Sequence, residues 1–373
     1  MWPDSRLLDL LRLDYPIIQA PMAGAMDADL VVAVSEAGGL GSLPCAMLTA
    51  AQVREEVERI RSRTRKPINL NFFCHKPPSA DEAREAAWRE RLAPYYAELG
   101  LDPRAPVTAA SRAPFDADMC DVVIALKPNV ISFHFGLPEP ALLNRVKVAG
   151  CLIFSSATTV AEARWLGDHG VDAVIAQGAE AGGHRGMFLT DEVASQVGTF
   201  ALVPQIVDAV KVPVIAAGGI ADARGIAAAF ALGAAGVQIG TAFLFCPEAK
   251  VSAPHRAALK SARDDATALT NVLTGRPARG FVNRLMREVG PLSDSAPAFP
   301  LAAVAVQPLR AKAESQGSGD FSPLWSGEAA ALGREMSARD LIVRLAAGAL
   351  ERMRHLSSAP VGPRPATPGP AGR

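Results

Sequence analysis

The sequence predicts a (β/α)8 barrel followed by a smaller lobe, and three observations support this fold class. Eight short β-type runs alternate with helix-type stretches between residue 16 and about residue 260. Several of these runs are apolar nearly throughout, as strands covered on both faces must be. Alternation over eight units is typical of a closed barrel of parallel strands rather than an open doubly wound sheet.

The eight β-type runs are short and end in small or polar residues. In chain order they are PIIQA (16–20), GLGSLP (39–44), PINLNFF (67–73), NVISFHF (129–135), CLIFSS (151–156), DAVIAQG (172–178), VPVIAAGG (212–219) and AGVQIGT (235–241). The second run is the weakest. Connecting stretches such as 49–64 and 159–170 space their apolar residues as helices do and begin with threonine, a common N-cap residue.

Two stretches are too long to be simple connections, and they set the predicted domain organisation. Residues 1–260 form the barrel, with a helical insertion at about 79–128 that holds two or three helices. Residues 261–330 follow the eighth strand and form a lid lobe over the barrel mouth. Residues 331–356 form a C-terminal helix that packs on the barrel. Residues 357–373 are rich in proline, glycine and alanine, and we expect them to be disordered.

Composition narrows the possible partners. Lysine plus arginine and aspartate plus glutamate both number 38, so the chain lacks the basic excess of an electrostatic nucleic-acid binder. The five cysteines include no CxxC pair, which argues against both a metal site and a disulfide framework. The charged N-terminus and the lack of a long apolar run predict a cytoplasmic protein without membrane contact. A homodimer remains possible.

The last two strand ends carry the clearest site signal. Gly218 and Gly219 follow the seventh run, and Gly240 and Thr241 follow the eighth. Loops at these two places form the usual phosphate site of such barrels. Glycines in one loop alone would favour a simple tight turn, but two such loops favour phosphate. The chain lacks a GxGxxG turn and a P-loop, so a small phosphorylated cofactor fits best, and FMN is the obvious candidate.

Other strand ends place polar groups beside this predicted site. Asn71 and Gln177 lie at inward strand ends and offer amide contacts to a flavin ring, and Met22 offers a soft side chain. His134 takes the last inward position of the run VISFH. A histidine at this position is either a capped structural residue or part of a site, and the residues alone leave both interpretations open.

Six motifs in order resemble the nitronate monooxygenase family, formerly called 2-nitropropane dioxygenase. They are PIIQAPMAG, NFFCHKPP, ISFHFGLP, AQGAEAGGHRG, AAGGIAD and QIGTAF, and the resemblance covers roughly residues 10 to 290. It implies a barrel with non-covalent FMN, the turn Pro21, Met22 and Ala23 against the ring, and His134 as the catalytic histidine. The FMN contacts it implies are Asn71, Gln177, Gly182, Gly183, Gly218, Gly219, Gln238, Ile239, Gly240 and Thr241.

The resemblance also implies a reaction. Alkyl nitronates, with nitroalkanes as further possible substrates, are oxidised with O2 to a carbonyl compound and nitrite by one-electron transfer to the flavin. His134 acts as base or positioning group, and His184 and Met22 are expected to contact substrate. Arg185 either attracts the anionic nitronate or forms a surface salt bridge. His75 is expected on the outer rim, and His169, His255 and His355 are expected to be solvated.

Alternative functions share the same scaffold. An NAD(P)H:quinone reductase or an FMN-dependent enoyl-acyl-carrier-protein reductase would use the same flavin loops. A non-catalytic flavin-binding or phosphometabolite-binding protein would keep the glycine loops without requiring His134. An enzyme similar to inosine monophosphate dehydrogenase needs a cysteine after the sixth strand. This chain reads GAEAGGHRG there, without a cysteine, so we set this alternative aside.

Overall fold

Eight parallel strands form the central sheet of the protein. The computed structural model describes residues 1–79, 81–105 and 112–358, so residues 359–373 of the predicted tail lie outside the described residues. The barrel strands are β1 (Ile17–Gln19), β2 (Gly41–Pro44), β3 (Ile68–Phe73), β4 (Val130–His134), β5 (Leu152–Ala157), β6 (Ala173–Gln177), β8 (Val214–Ala217) and β9 (Gly236–Ile239). A short strand, β7 (Gly183–His184), follows β6 but belongs to the lobe.

The sheet curls into a nearly closed barrel. Its strand order is β1-β9-β8-β6-β5-β4-β3-β2, so β1 and β2 are its two edges. Two main-chain hydrogen bonds between β1 and Leu40, the residue before β2, join these edges. The amide of Gln19 donates to Leu40 O at 3.0 Å, and the amide of Leu40 donates to Ile17 O at 3.0 Å. The predicted (β/α)8 fold class is therefore confirmed, including its weakest run.

Helices cover the outside of the barrel and both its ends. They are α1 (Arg6–Leu11), α2 (Ala28–Glu36), α3 (Ala50–Arg61), α4 (Glu82–Glu98), α5 (Ala117–Leu126), α6 (Pro140–Val148), α7 (Val160–Asp168), α8 (Thr199–Ala209), α9 (Ala223–Ala231), α10 (Thr241–Leu244), α11 (Ala253–Lys260), α12 (Arg284–Val289), α13 (Ala302–Ser315) and α14 (Ala338–Ser357). Thr49 and Thr159 cap α3 and α7 through side-chain hydrogen bonds. Leu7 and Leu11 of α1 pack with Val130 and Phe154 inside the barrel, which covers its amino-terminal end.

The lobe is assembled from separated stretches of the chain. Strands β10 (Thr267–Thr270) and β11 (Ala278–Phe281) form an antiparallel sheet with β7, in the order β10-β11-β7. Helix α4 joins the lobe by packing on α13: Trp88 Nε1 donates to Ala302 O at 3.2 Å and Tyr96 Oη donates to Ala305 O at 2.7 Å. The lobe thus includes part of the 79–128 insertion as well as part of residues 261–330.

The C-terminal helix starts later than the predicted range 331–356. A 3-10 turn occupies Glu328–Leu332, and α14 runs from Ala338 to Ser357, where it packs on α2 and α9. Across the described ranges, no helix combines the length and the apolar character needed to span a bilayer.

Candidate active site

A cavity of about 390 Å3 lies at the carboxyl ends of the barrel strands, beneath the lobe. This volume lies within the usual range for small-molecule and cofactor sites. Lobe residues such as Leu324 and Trp325 line its outer wall. The sequence-predicted residues that line it are Pro21, Met22, Ala23, Asn71, His134, Gln177, Gly182, Gly183, His184, Gly218, Gly219, Gln238, Gly240 and Thr241.

Ile239 is the predicted residue that the cavity does not reach. Its side chain is buried at 1% exposure in the hydrophobic core between the sheet and the helices. Side chains alternate across a strand, so the inward position of Gln238 turns Ile239 toward the helices. Its main-chain oxygen accepts a hydrogen bond from the amide of Ala20 at 2.8 Å. Ile239 therefore supports the turn before Pro21 rather than lining the site.

His134 is held in one tautomer by two protein groups. Its Nε2 lies 3.1 Å from His184 O, and its Nδ1 lies 3.0 Å from Ser156 Oγ. A carbonyl oxygen only accepts, so Nε2 carries the proton and Nδ1 accepts from the Ser156 hydroxyl. Burial lowers the pKa of His134 to about 4, so the imidazole is neutral at pH 7.

The chain turns sharply directly after this histidine. Phe135 has φ of 70°, in the left-handed region that bulky residues rarely adopt, and Gly136 has φ of 91°. Such backbone costs on the order of 1–3 kcal/mol and persists only where surrounding contacts impose it. The Phe135 ring packs 4.5 Å from the His134 ring and 4.9 Å from the Phe73 ring. The strained residue thus forms part of the wall that holds His134 in place.

Gly186 permits the close approach of the loop after β6 to this histidine. A Cβ atom at position 186 would lie 2.8 Å from His134 Cε1, closer than real Cβ contacts, and 3.0 Å from Ser156 Cβ, which is tighter than most. Gln177 fixes the same loop, because its Oε1 accepts from the Gly186 amide at 2.8 Å and its Nε2 donates to His184 O at 3.0 Å. The Gln177 amide is therefore already hydrogen-bonded within the protein.

Asn71 belongs to a polar cluster between β3 and β4. Its Nδ2 donates to Ser132 Oγ at 2.9 Å, and Asn69 Nδ2 donates to the same oxygen at 2.9 Å. Among the described residues, the Oδ1 atom of Asn71 has no hydrogen-bond partner. Asn71 therefore presents an acceptor at the cavity wall, where a flavin edge would offer donors.

The glycine loops leave main-chain donors at the opposite wall. Gly218 and Gly219 both have positive φ, at 114° and 68°. Within the described ranges, the amides of Gly219 and Gly240 donate no hydrogen bond to another residue. Thr241 Oγ1 accepts from the Gly327 amide at 2.9 Å, which leaves its own hydrogen to donate elsewhere. Such donors at strand ends next to helix starts fit an anionic group such as a phosphate.

His184 lines the cavity beside His134. Its ring Nε2 lies 3.0 Å from Thr274 Oγ1, and burial holds the pKa of the ring well below its usual range. The predicted proximity of His184 to the site is thus observed, and Thr274 of the lobe holds its ring.

Two histidines lie in environments that differ from those predicted. His75, expected on the outer rim, is 6% exposed and packs edge-on against Phe299 at 4.9 Å. His255, expected to be solvated, is 7% exposed and donates from Nε2 to Trp325 O at 3.1 Å. The lobe covers both residues, and its position is not readable from their local sequence. His169 and His355 are exposed.

Arg185 lies neither on the surface nor in the cavity wall. Its side chain is fully buried, with Nη1 donating to Gly178 O and Nη2 donating to Gln177 O, both at 2.7 Å. Its Nε donates to Gln196 Oε1 at 2.8 Å. Arg185 therefore braces the loop after β6. Among the described residues, no cluster of histidine, cysteine or acidic side chains could hold a metal ion.

The buried neutral histidines predict a loss of stability in acid. The pKa values of His134 and His255 are about 4 because burial penalises the imidazolium, whereas an exposed histidine has a pKa near 6.5. Above pH 6.5 neither state is protonated, and between pH 6.5 and 4 only the unfolded state binds the proton. The free energy of unfolding should therefore fall with pH across this window, by on the order of 3 kcal/mol for His134.

Urea denaturation at pH 7, 6, 5 and 4 would measure this fall. Replacing the exposed His169 by asparagine makes the same substitution outside the buried sites and is the control. Replacing His255 by asparagine should reduce it. An unfolding free energy that stays flat from pH 7 to pH 5 would contradict the assignment of neutral buried imidazoles.

The chain is similar to known proteins over most of its length. A sequence profile described as nitronate monooxygenase matches residues 4–348. The chain is 41% identical over 340 residues to a nitronate monooxygenase from Pseudomonas aeruginosa, which covers 91% of this chain and 97% of that protein. It is similar to nitroalkane oxidase from Streptomyces ansochromogenes, with a TM-score of 0.86, 38% identity and coverage of 94% of this chain and 100% of that one.

A more distant likeness extends to FabK from Thermotoga maritima. Its TM-score is 0.73 at 29% identity, and the match covers 94% of this chain and 98% of that one. The profile match and the 41% identical relative both span nearly the whole barrel and lobe. The chain therefore belongs to the nitronate monooxygenase family and is an oxidoreductase.

Proposed function

We propose that this protein binds FMN in the cavity and oxidises alkyl nitronates with O2 to a carbonyl compound and nitrite. The observation that carries the proposal is the shared cavity. The amides of Gly219 and Gly240, which donate to no described residue, line one wall, and the hydrogen-bonded pair of His134 and Ser156 lines another. An anion cradle and a fixed imidazole are thus within reach of one bound cofactor and its substrate.

Different residues of the chain would bind different parts of FMN. Gly218, Gly219, Gly240 and Thr241 would hold the phosphate through main-chain and hydroxyl donors. Asn71 would meet the pyrimidine edge of the ring. FMN, when bound, supplies the redox chemistry by accepting electrons from the nitronate and passing them to O2.

The chain's own contribution to chemistry centres on His134. A neutral imidazole with a pKa of about 4 is a weak base for a carbon acid at neutral pH. Its Nδ1 faces the Ser156 hydroxyl, so a proton taken from substrate carbon would pass through that hydroxyl or displace it. A substrate that has already lost its proton avoids this step. The site therefore favours preformed nitronates over neutral nitroalkanes.

The partner proposed for this site is a small molecule, together with O2. The homodimer and the cytoplasmic location predicted from the sequence stay predictions.

Anaerobic absorbance spectroscopy of the purified protein tests the proposal. We expect a yellow protein whose flavin absorbance changes on mixing with propyl nitronate and stays unchanged with NADH or NADPH. In air, nitrite should accumulate when propyl nitronate is the substrate. Bleaching by NAD(P)H with no response to nitronate would instead establish a reductase on the same barrel. A flavin that responds to neither compound would leave a binding protein, and a colourless protein that takes up no FMN would contradict every flavin function.

A further inference from the structure

Most charged side chains that line the cavity are already compensated by a neighbour. Lys250 Nζ lies 2.8 Å from Asp29 Oδ2. Arg310 Nε lies 2.9 Å from Glu314 Oε1. These pairs keep the net charge of their parts of the wall near zero, so neither leaves an unmatched charge for a ligand.

The remaining acidic residue of the wall is also satisfied. Glu180 Oε2 accepts from the amide and the hydroxyl of Thr199, both at 2.8 Å. These bonds hold the Glu180 carboxylate at the start of α8. The charged residue that remains is Arg112.

Arg112 lines the cavity without a compensating partner among the described residues. Its guanidinium forms no hydrogen bond or ion pair with any residue in the described ranges, and its Nη1 atom is buried. Burial is the main cause that lowers the pKa of Arg112, and the neighbouring cation Arg310 lowers it further. Arginine nevertheless stays charged in proteins. Arg112 is therefore a largely buried cation that no described residue compensates.

Such a cation is costly unless something else neutralises it. Leaving a buried charge unpaired costs several kcal/mol, and the cost disappears when an anion binds beside it. Aromatic stacking offsets only part of the cost, because the guanidinium carbon lies 5.7 Å from the Phe299 ring centre. The unmet charge thus indicates an anionic ligand.

The position of Arg112 associates this anion with the histidines rather than with the glycine loops. Phe299, beneath the guanidinium, packs 5.2 Å from the ring of His184. The main-chain oxygen of His184 in turn accepts from His134 Nε2. The guanidinium therefore belongs to the wall that holds the proposed base, where substrate would lie.

We propose that Arg112 is a specificity-determining residue that binds the negatively charged oxygens of the nitronate. This assignment rests on the proposed function for the choice of anion. The planar guanidinium matches two oxygens on one nitrogen, as it matches a carboxylate. It also gives the cavity a physical reason to prefer the anionic nitronate over its neutral conjugate acid.

The test compares Arg112→Gln, Arg112→Lys and Arg104→Gln in the FMN-loaded protein. Arg104 is exposed and does not line the cavity, so its variant removes the same net charge elsewhere. Two quantities are measured: the KM for propyl nitronate, and the Kd for nitrate, an inert planar anion, by titration calorimetry. We expect Arg112→Gln to raise both at least tenfold, Arg112→Lys to raise them less, and Arg104→Gln to leave both within twofold.

Two results would overturn the assignment. The first is a nitrate Kd that Arg112→Gln leaves unchanged. The second is a rise in the Kd for FMN in Arg112→Gln that equals the rise in its Kd for nitrate, because the guanidinium would then bind the cofactor. Arg112→Lys, which keeps the charge, provides the comparison if the glutamine variant unfolds. A wild-type protein that does not oxidise nitronate but binds nitrate through Arg112 would refute the proposed function while supporting Arg112 as the anion-binding residue.

Discussion

Replacement of His134 by asparagine is expected to leave FMN bound and to reduce turnover of a neutral nitroalkane at least 100-fold more than turnover of its preformed nitronate. Asparagine can keep one of the two hydrogen bonds of the imidazole, because its oxygen can take the place of Nδ1 and accept from Ser156 Oγ, whereas its shorter side chain does not reach His184 O. It cannot take up a proton. General base catalysis typically contributes 10² to 10⁴ in rate, a base as weak as this imidazole belongs at the lower end of that range, and only the nitroalkane needs the step.

Steady-state kcat/KM values on the two substrate forms, with the FMN-to-protein ratio from absorbance, would measure the difference. His169→Asn is the matched control, because it makes the same change at an exposed histidine and should alter neither rate. Equal losses on both substrates would exclude proton abstraction and leave His134 with a positioning role. Loss of flavin would show instead that the hydrogen bonds of His134 hold the cofactor pocket together.

The barrel could be predicted from the sequence because its signals are local. Each of the eight runs is a short apolar segment that becomes a buried parallel strand, and even the weak run 39–44 contains β2, from Gly41 to Pro44. The glycine loops were equally readable, since they follow the seventh and eighth runs directly. Barrel topology then brings the carboxyl ends of all strands together without further information.

Ile239 is the predicted FMN contact that the cavity lining does not include. Strand alternation separates its side chain from that of its neighbour Gln238, which points to the other face of the sheet. The structure puts Gln238 on the cavity wall and Ile239 in the core behind it. A contact between Ile239 and FMN would therefore have to come from its main chain, and it stays a prediction.

Other features depend on contacts between distant parts of the chain and have no local signal. Ser156 meets His134 because β4 and β5 pair, and Gly186 reaches the same imidazole from the loop after β6. The burial of His255 requires the lobe. The sheet of the lobe includes β7, which lies in the sequence between the barrel strands β6 and β8. Arg185 follows a histidine in a glycine-rich loop, which suggested exposure, but its donors satisfy main-chain carbonyls inside the fold.

Aspartate in place of Gly219 is expected to raise the Kd for FMN at least 100-fold above that of the asparagine variant. Gly219 has φ of 68°, a conformation that aspartate and asparagine tolerate better than other residues. A new Cβ would be 3.5 Å from Glu180 Cβ, an ordinary contact, so both side chains can be accommodated. Only aspartate adds a negative charge beside the proposed phosphate. Two like charges about 4 Å apart repel by roughly 4 kcal/mol at an effective dielectric constant near 20.

The comparison of these two variants separates charge from bulk. Titration of the apoprotein with FMN, followed by quenching of flavin fluorescence, gives the Kd of each, and thermal melting without FMN shows whether both fold equally well. If aspartate and asparagine weaken FMN binding by the same factor, the loop restricts the cofactor sterically but does not hold its phosphate. If neither weakens it, the phosphate lies elsewhere in the cavity, and the amides of Gly219 and Gly240, which donate to no described residue, need another ligand. A large loss confined to aspartate places the negative end of the cofactor at this loop, which leaves the wall formed by His134 and Arg112 for the substrate.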